Sequence, residues 1–159
     1  MPQALTPDEA LRRYGDSLSA LERAELAQHE MIYYMGRPRP ATLSGGAAAD
    51  SHDDTLGDLL IWPHQQLAYR YEVLCVLGRG SFGLVVRAFD YRTSTEVAVK
   101  LIRNRKCLHD QACVELRLLK HLCAVDQPDS SGLVKIIDHF HFRGHLCMTF
   151  ELLSINLYE

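Results

Sequence analysis

Apolar positions along this chain change their period once, and the change divides it. Up to residue 36 they recur at three- and four-residue steps, with Leu11, Tyr14 and Leu18 forming one stripe. Thr6-Pro7-Asp8-Glu9 sets a capping hydroxyl, a proline at the first helical position and a glutamate at the third, so a helix starts there. Ser19-Ala20-Leu21-Glu22 repeats the box and predicts a second helix through about Gln28. Ile32, Tyr33, Tyr34 and Met35 make an apolar knot, and a segment of about thirty residues cannot bury a core alone, so residues 1–36 are expected to dock on the rest. Residues 37–58 read as a flexible linker. Arg37-Pro38-Arg39-Pro40 cannot continue a helix, Ser44-Gly45-Gly46 and three alanines carry no periodicity, and Asp50 to Asp58 adds acidic residues and turn signals.

From about Tyr69 the pattern is that of strands. Tyr71–Leu77 ends at a glycine cluster, Leu84–Phe89 follows at once, and Glu96–Ile102 is a third, mostly apolar run. Helical spacing returns from about Asp110 to Leu122, where Val114, Leu118 and Leu122 repeat every four. Asp126–Gly132 reads as a loop, and Leu133–Phe140 and His145–Leu152 as two strands joined near Arg143-Gly144. Three strands, one helix and two strands make an α+β lobe, a five-stranded antiparallel sheet with one helix, preceded by a helical accessory segment.

Composition narrows the function classes. The 159 residues suit one domain or one lobe of something larger, and 47% apolar with 23% charged residues suits a globular chain. No apolar run is long enough to span a bilayer, and the first residues lack a basic stretch followed by an apolar block. Five cysteines without a C-x-x-C pair suit buried thiols in a reducing compartment, so a cytoplasmic or nuclear location is expected and no metal site is. Through residue 68 there are 5 basic against 10 acidic residues, and from Tyr69 onward 12 against 10. That basic excess is too small and scattered for a nucleic-acid groove.

The chemistry sits in Gly78-Arg79-Gly80-Ser81-Phe82-Gly83. Glycines let a backbone approach phosphate oxygens closely. A P-loop needs Lys and Ser/Thr directly after the last glycine, whereas Leu84 and Val85 follow. A dinucleotide fold needs a helix opening at the glycines, whereas Leu84-Val85-Val86 reads as strand. A glycine-rich hairpin covering ATP remains, beside a plain structural hairpin. Lys100 ends the apolar run Val97-Ala98-Val99, where desolvating an unpaired ammonium is costly. An edge lysine reaching solvent would be the simple alternative, but the combination of G-x-G-x-F-G-x-V and V-A-V-K favours phosphate binding. Glu115 on the following helix is placed to pair with Lys100, against the alternative of a solvated glutamate beside Arg117 or Lys120. Leu77, Val85 and Ala98 offer apolar surface to a flat ring, and Phe150-Glu151-Leu152-Leu153 offers backbone groups to its edge.

Three features read as background. His139, His141 and His145 lack a cysteine or acidic partner at ligand spacing and are taken as hairpin histidines. Arg103-Asn104-Arg105-Lys106 is taken as a solvated turn into the helix, and Cys75 and Cys147 as small core residues.

Together these residues resemble the ATP-binding lobe of a eukaryotic protein kinase, and more narrowly the dual-specificity tyrosine-phosphorylation-regulated kinases. Ala68-Tyr69-Arg70-Tyr71-Glu72-Val73, Ile102-Arg103-Asn104, Gln111-Ala112, Phe142-Arg143 and Thr149 through Glu159 carry the likeness. Residues 5–36 are similar to the accessory segment of the class II subgroup, which supports tyrosine autophosphorylation. Residues 59–70 resemble part of the family's homology box, which begins upstream. Asp53-Asp54 and Gly57 fit it, Asp58 stands where an aromatic is expected, and His64-Gln65-Gln66 stands for His-Asp-His. Residues 71–159 resemble the kinase N-lobe and hinge.

The resemblance implies that Gly78, Gly80 and Gly83 cover the ATP phosphates, with Leu77 through Val85 lining the nucleotide site, and that Lys100, held by Glu115, neutralises developing charge. It implies phosphoryl transfer to Ser/Thr of protein substrates and autophosphorylation on Tyr. The catalytic-loop and Mg²⁺-binding motifs of a kinase do not occur in the 159 residues, so this stretch alone is expected to be inactive. A non-catalytic short form acting as an interaction module is the alternative.

Overall fold

The computed structural model describes residues 4–40, 52–125 and 132–153. Most of the linker's Ser/Gly/Ala stretch, the expected loop up to Gly132, and the last six residues lie outside them. Two short helices come first: α1 (Pro7–Tyr14), a 3-10 turn (Gly15–Ser17), and α2 (Ala20–Leu26). Both expected capping boxes form. The Glu9 and Glu22 amides donate to Thr6 Oγ1 (3.3 Å) and Ser19 Oγ (3.2 Å), and each glutamate accepts the cap residue's amide in return.

The rest is one antiparallel sheet with a helix: β1 (Gln66–Leu67), β2 (Tyr71–Gly80), β3 (Gly83–Asp90), β4 (Thr95–Ile102), α3 (Lys106–Val125), β5 (Ile136–Phe142) and β6 (His145–Glu151). Strand order is β1-β2-β3-β4-β6-β5. The sheet thus has six strands where five were expected, and β1 is the addition. The β1–β2 turn runs through Ala68 and Tyr69, both with positive φ (50° and 52°). Such a turn usually takes Asn or Gly. Here it is held because Gln66 Oε1 accepts the Tyr69 amide (2.8 Å) and the Tyr69 carbonyl accepts the amides of Tyr33 (2.9 Å) and Tyr34 (3.0 Å). The strained turn throws the Tyr69 ring off the sheet and into a cluster with Ala10, Leu26 and Ile32. The apolar knot of residues 32–35 thus finds its partner. The Tyr69 hydroxyl also reaches the Glu22 carbonyl and the Glu25 carboxylate, each at 3.2 Å.

The two faces of the sheet bury different partners. Val86, Ala88, Val97, Val99, Leu101 and Cys147 pack on one face with Leu59, which directly follows the linker. Burying such a leucine stabilises by about 1.5–3 kcal/mol. Ile102, Leu146 and Met148 pack on the other face against Ala112 and Leu116 of α3. Of the two apolar stripes on α3, only this one is covered, while Val114, Leu118 and Leu122 stay exposed. Cys75, expected in the core, is exposed, whereas Cys147 is buried and its thiol is pushed up by that burial.

Candidate nucleotide site

Alternation along β3 and β4 puts Val85, Ala98 and Lys100 on the face that α3 covers only in part. Val85 lies directly across from Lys100, and Ala98 across from Phe150. Leu84 points the other way, into the core at 1% exposure, so it offers the hairpin only its backbone. Glu115 is aimed by its neighbours: burial of Ala112 and Leu116 fixes the rotation of α3 about its axis. The Lys100 ammonium donates to Glu115 Oε1 at 2.7 Å and Oε2 at 3.0 Å. This pair is partly open to solvent, and the Phe82 ring lies over the ammonium at 5.7 Å.

The hairpin above the pair divides its glycines by role. Gly83 has φ +139°, and a Cβ there would stand 2.1 Å from the Leu101 carbonyl oxygen, so the fold itself requires glycine. Gly78 and Gly80 have no positive φ, and a Cβ on either would meet nothing within 4 Å. Folding does not require glycine at these two positions. They keep the backbone bare on an exposed hairpin whose tip is Ser81-Phe82. Leu77 and Arg79 are exposed beside them. Glu151 closes β6 with Leu152 and Leu153 beyond it, and its carboxylate accepts the Lys135 amide at 3.3 Å. Among the described residues no group of three or more His, Cys, Asp or Glu is arranged to hold a metal ion.

Sequence reasoning missed a second set of residues that touch this hairpin. Asp58, 2% exposed, accepts from Arg103 Nε at 2.8 Å and Nη2 at 2.9 Å. Arg103 is therefore not a solvated turn residue but the partner of a buried carboxylate. That contact holds the Asp58 carboxyl below its usual range. Asp53 accepts from Asn104 Nδ2 at 3.0 Å and lies 2.8 Å from His145 Nε2. His145 is buried, and its other ring nitrogen faces the Ile102 carbonyl at 2.7 Å, so this histidine anchors the linker. In the sequence these residues stood out only by resemblance (Asp53-Asp54, Gly57 and Asp58, and Ile102-Arg103-Asn104) and by the acidic run from Asp50 to Asp58, and nothing in it paired them.

No family model matches the chain. Individual proteins do. The chain is 42% identical over 158 residues to dual specificity tyrosine-phosphorylation-regulated kinase 3 of Mus musculus, covering 98% of the chain and 27% of that protein. It is 42% identical over 155 residues to dual specificity tyrosine-phosphorylation-regulated kinase mbk-2 of Caenorhabditis elegans, covering 96% of the chain and 19% of that protein. Dual specificity tyrosine-phosphorylation-regulated kinase 2 of Drosophila melanogaster is 40% identical over 160 residues, with 98% of the chain and 22% of that protein covered. The chain spans about a fifth to a quarter of the length of these relatives.

Proposed function

The chain belongs to the dual-specificity tyrosine-phosphorylation-regulated kinase family, and from that premise we propose that it is the ATP-binding lobe of a class II member. Residues 1–36 are its accessory segment, 59–70 part of its homology box and 71–159 its N-lobe and hinge. The observation that carries the reading is the Lys100–Glu115 pair beneath a hairpin whose Gly78 and Gly80 are bare without need of the fold. The hairpin amides and the Lys100 ammonium bind the α- and β-phosphates, and Glu115 keeps the ammonium in place. Val85 and Ala98 pack on the adenine, and the backbone from Glu151 to Leu153 meets its edge. The complete protein transfers the γ-phosphoryl group to Ser/Thr of protein substrates and to its own Tyr. The Mg²⁺ that accompanies ATP in the complete kinase would be held by motifs outside this stretch.

Titration of this chain with a fluorescent ATP analogue tests the reading. Saturable binding is expected, weakened about tenfold or more by Lys100→Met, the scale of one lost charge-assisted contact. Equal affinity in wild type and variant, or none in the folded wild type, rejects it.

A further inference from the structure

The linker residues 53–58 form a compact turn fixed to the lobe at its base. Asp54 Oδ1 accepts the amides of Leu56 (2.9 Å) and Asp58 (3.0 Å), and the Gly57 carbonyl accepts the Asn104 amide at 2.8 Å. Gly57 has φ +84°, a left-handed backbone that favours glycine, and a Cβ there would stand 3.3 Å from the Asn104 carbonyl oxygen. From this base the turn reaches the glycine hairpin by two routes. The first runs through Arg103, whose amide donates to the Phe82 carbonyl at 2.8 Å and whose Nη2 lies 3.4 Å from the Gly80 carbonyl while its fork holds Asp58. The second is direct: Arg79 Nη1, on the hairpin itself, lies 3.5 Å from Asp58 and 3.8 Å from Asp54.

We propose that Asp58 is a positioning residue for the glycine hairpin, a buried carboxylate shared by Arg79 on the hairpin and Arg103 at its far end. It couples the linker to the loop that covers the phosphates. The β3 half of the hairpin is laddered to β4, with Gly83 across from Ile102 and Leu84 from Leu101, but its β2 half, Leu77 to Gly80, pairs with β3 alone, and Gly78 and Gly80 give it little stiffness. Two guanidinium groups anchored on one carboxylate restrict where that backbone can sit, so less ordering remains to be done when a phosphate arrives. Linker docking and nucleotide binding are then linked, each favouring the other. The coupling to nucleotide rests on the reading above, whereas the coupling to the hairpin does not.

Amide hydrogen exchange of the whole chain separates the two. In Asp58→Ala, exchange across 76–84 is expected to speed about tenfold while the β5–β6 hairpin, 136–151, keeps its wild-type rate. Asp58→Asn, which keeps the shape but not the charge, and Arg79→Ala, an exposed change that leaves the core intact, should each give a smaller acceleration confined to 76–84. The fluorescent ATP analogue should bind in the same order, weakest to Asp58→Ala. Unchanged exchange over 76–84 in folded Asp58→Asn and Arg79→Ala overturns the proposal, as does equal acceleration in both segments. A wild type that binds no analogue sinks the nucleotide reading alone, and the exchange pattern still decides whether Asp58 holds the hairpin.

Discussion

The two ends of β2 are opposites. At its start Tyr71 and Val73 are each 1% exposed, and from Cys75 to Gly80 every residue is exposed. The start is locked. Arg70 donates to Asp90 at 2.9 and 2.6 Å and to Asp138 at 2.5 Å, tying β2 to the end of β3 and to β5. Tyr34 from the accessory segment stacks on Tyr91 with centroids 4.8 Å apart, and the Tyr91 hydroxyl donates to Glu72 at 2.7 Å. At the other end the strand leaves the core and becomes half of the bare hairpin. Stability is concentrated where residues 4–36 dock, and the proposed nucleotide site lies where the sheet is least constrained. A lid over phosphates must move, and that motion is cheap only if the rest of the sheet does not move with it.

The largest test removes the lock. Asp90→Ala leaves the Arg70 guanidinium facing a site built for a carboxylate that is fully buried. Breaking a buried pair from one side costs about 3–5 kcal/mol, less whatever Asp138 recovers. Urea unfolding should show that loss across the whole lobe. A loss confined to residues 4–36 would mean that the Arg70–Asp90 pair does not lock the sheet.

A pair of glycine substitutions sharpens the same contrast within one hairpin. Gly83→Ala sets a Cβ against the Leu101 carbonyl in a backbone region that non-glycine residues avoid. It should cost at least about 1–3 kcal/mol in unfolding free energy. Gly80→Ala meets open space, so stability should change by about 0.5 kcal/mol or less. Its effect should fall instead on affinity for the ATP analogue. If the two substitutions destabilise equally, the division of glycines between fold and ligand is wrong.

What could be read in the sequence was local or carried by spacing. The capping boxes at Thr6 and Ser19 are four-residue signals and form as written. The Lys100–Glu115 contact followed from a strand lysine and a helix glutamate on converging faces. What stayed hidden depends on distant partners. β1 was missed because Ala68-Tyr69 carries no turn residue, and its positive-φ turn is held by Tyr33 and Tyr34 from another segment. Asp58 and Arg103 lie 45 residues apart, and no local pattern links a linker acid to a base beyond the third main strand. The covered face of α3 was hidden because Val114, Leu118 and Leu122 have the same spacing as Ala112 and Leu116, and only packing chooses between them.

Acid should take the locked end apart in two steps, the smallest of these effects. His29, edge-on to Tyr69, and His52, beside Arg143, titrate below the ordinary histidine range because burial disfavours the imidazolium, with Arg143 adding repulsion at His52. An unfolded histidine takes up its proton near pH 6.5. Below that pH the unfolded chain binds more protons than the folded one at these sites, so stability falls as pH drops. Both histidines lie where the accessory segment and linker meet the lobe, so that contact should loosen first. Asp90 and Glu72 follow. Burial works against both charges, but Arg70 and the Arg92 amide hold the Asp90 carboxyl low, and His64, Tyr91 and Tyr34 hold Glu72 low. Their contribution is complete above the unfolded values of about 4 and is lost as pH falls below them. Limited proteolysis and amide exchange should therefore show residues 4–36 loosening between about pH 7 and 5 while β2 to β4 stay protected, with the sheet opening only below about pH 4. One concerted transition would place the accessory segment and the sheet in a single cooperative unit. The open hairpin would then be the only part of β2 free to move independently.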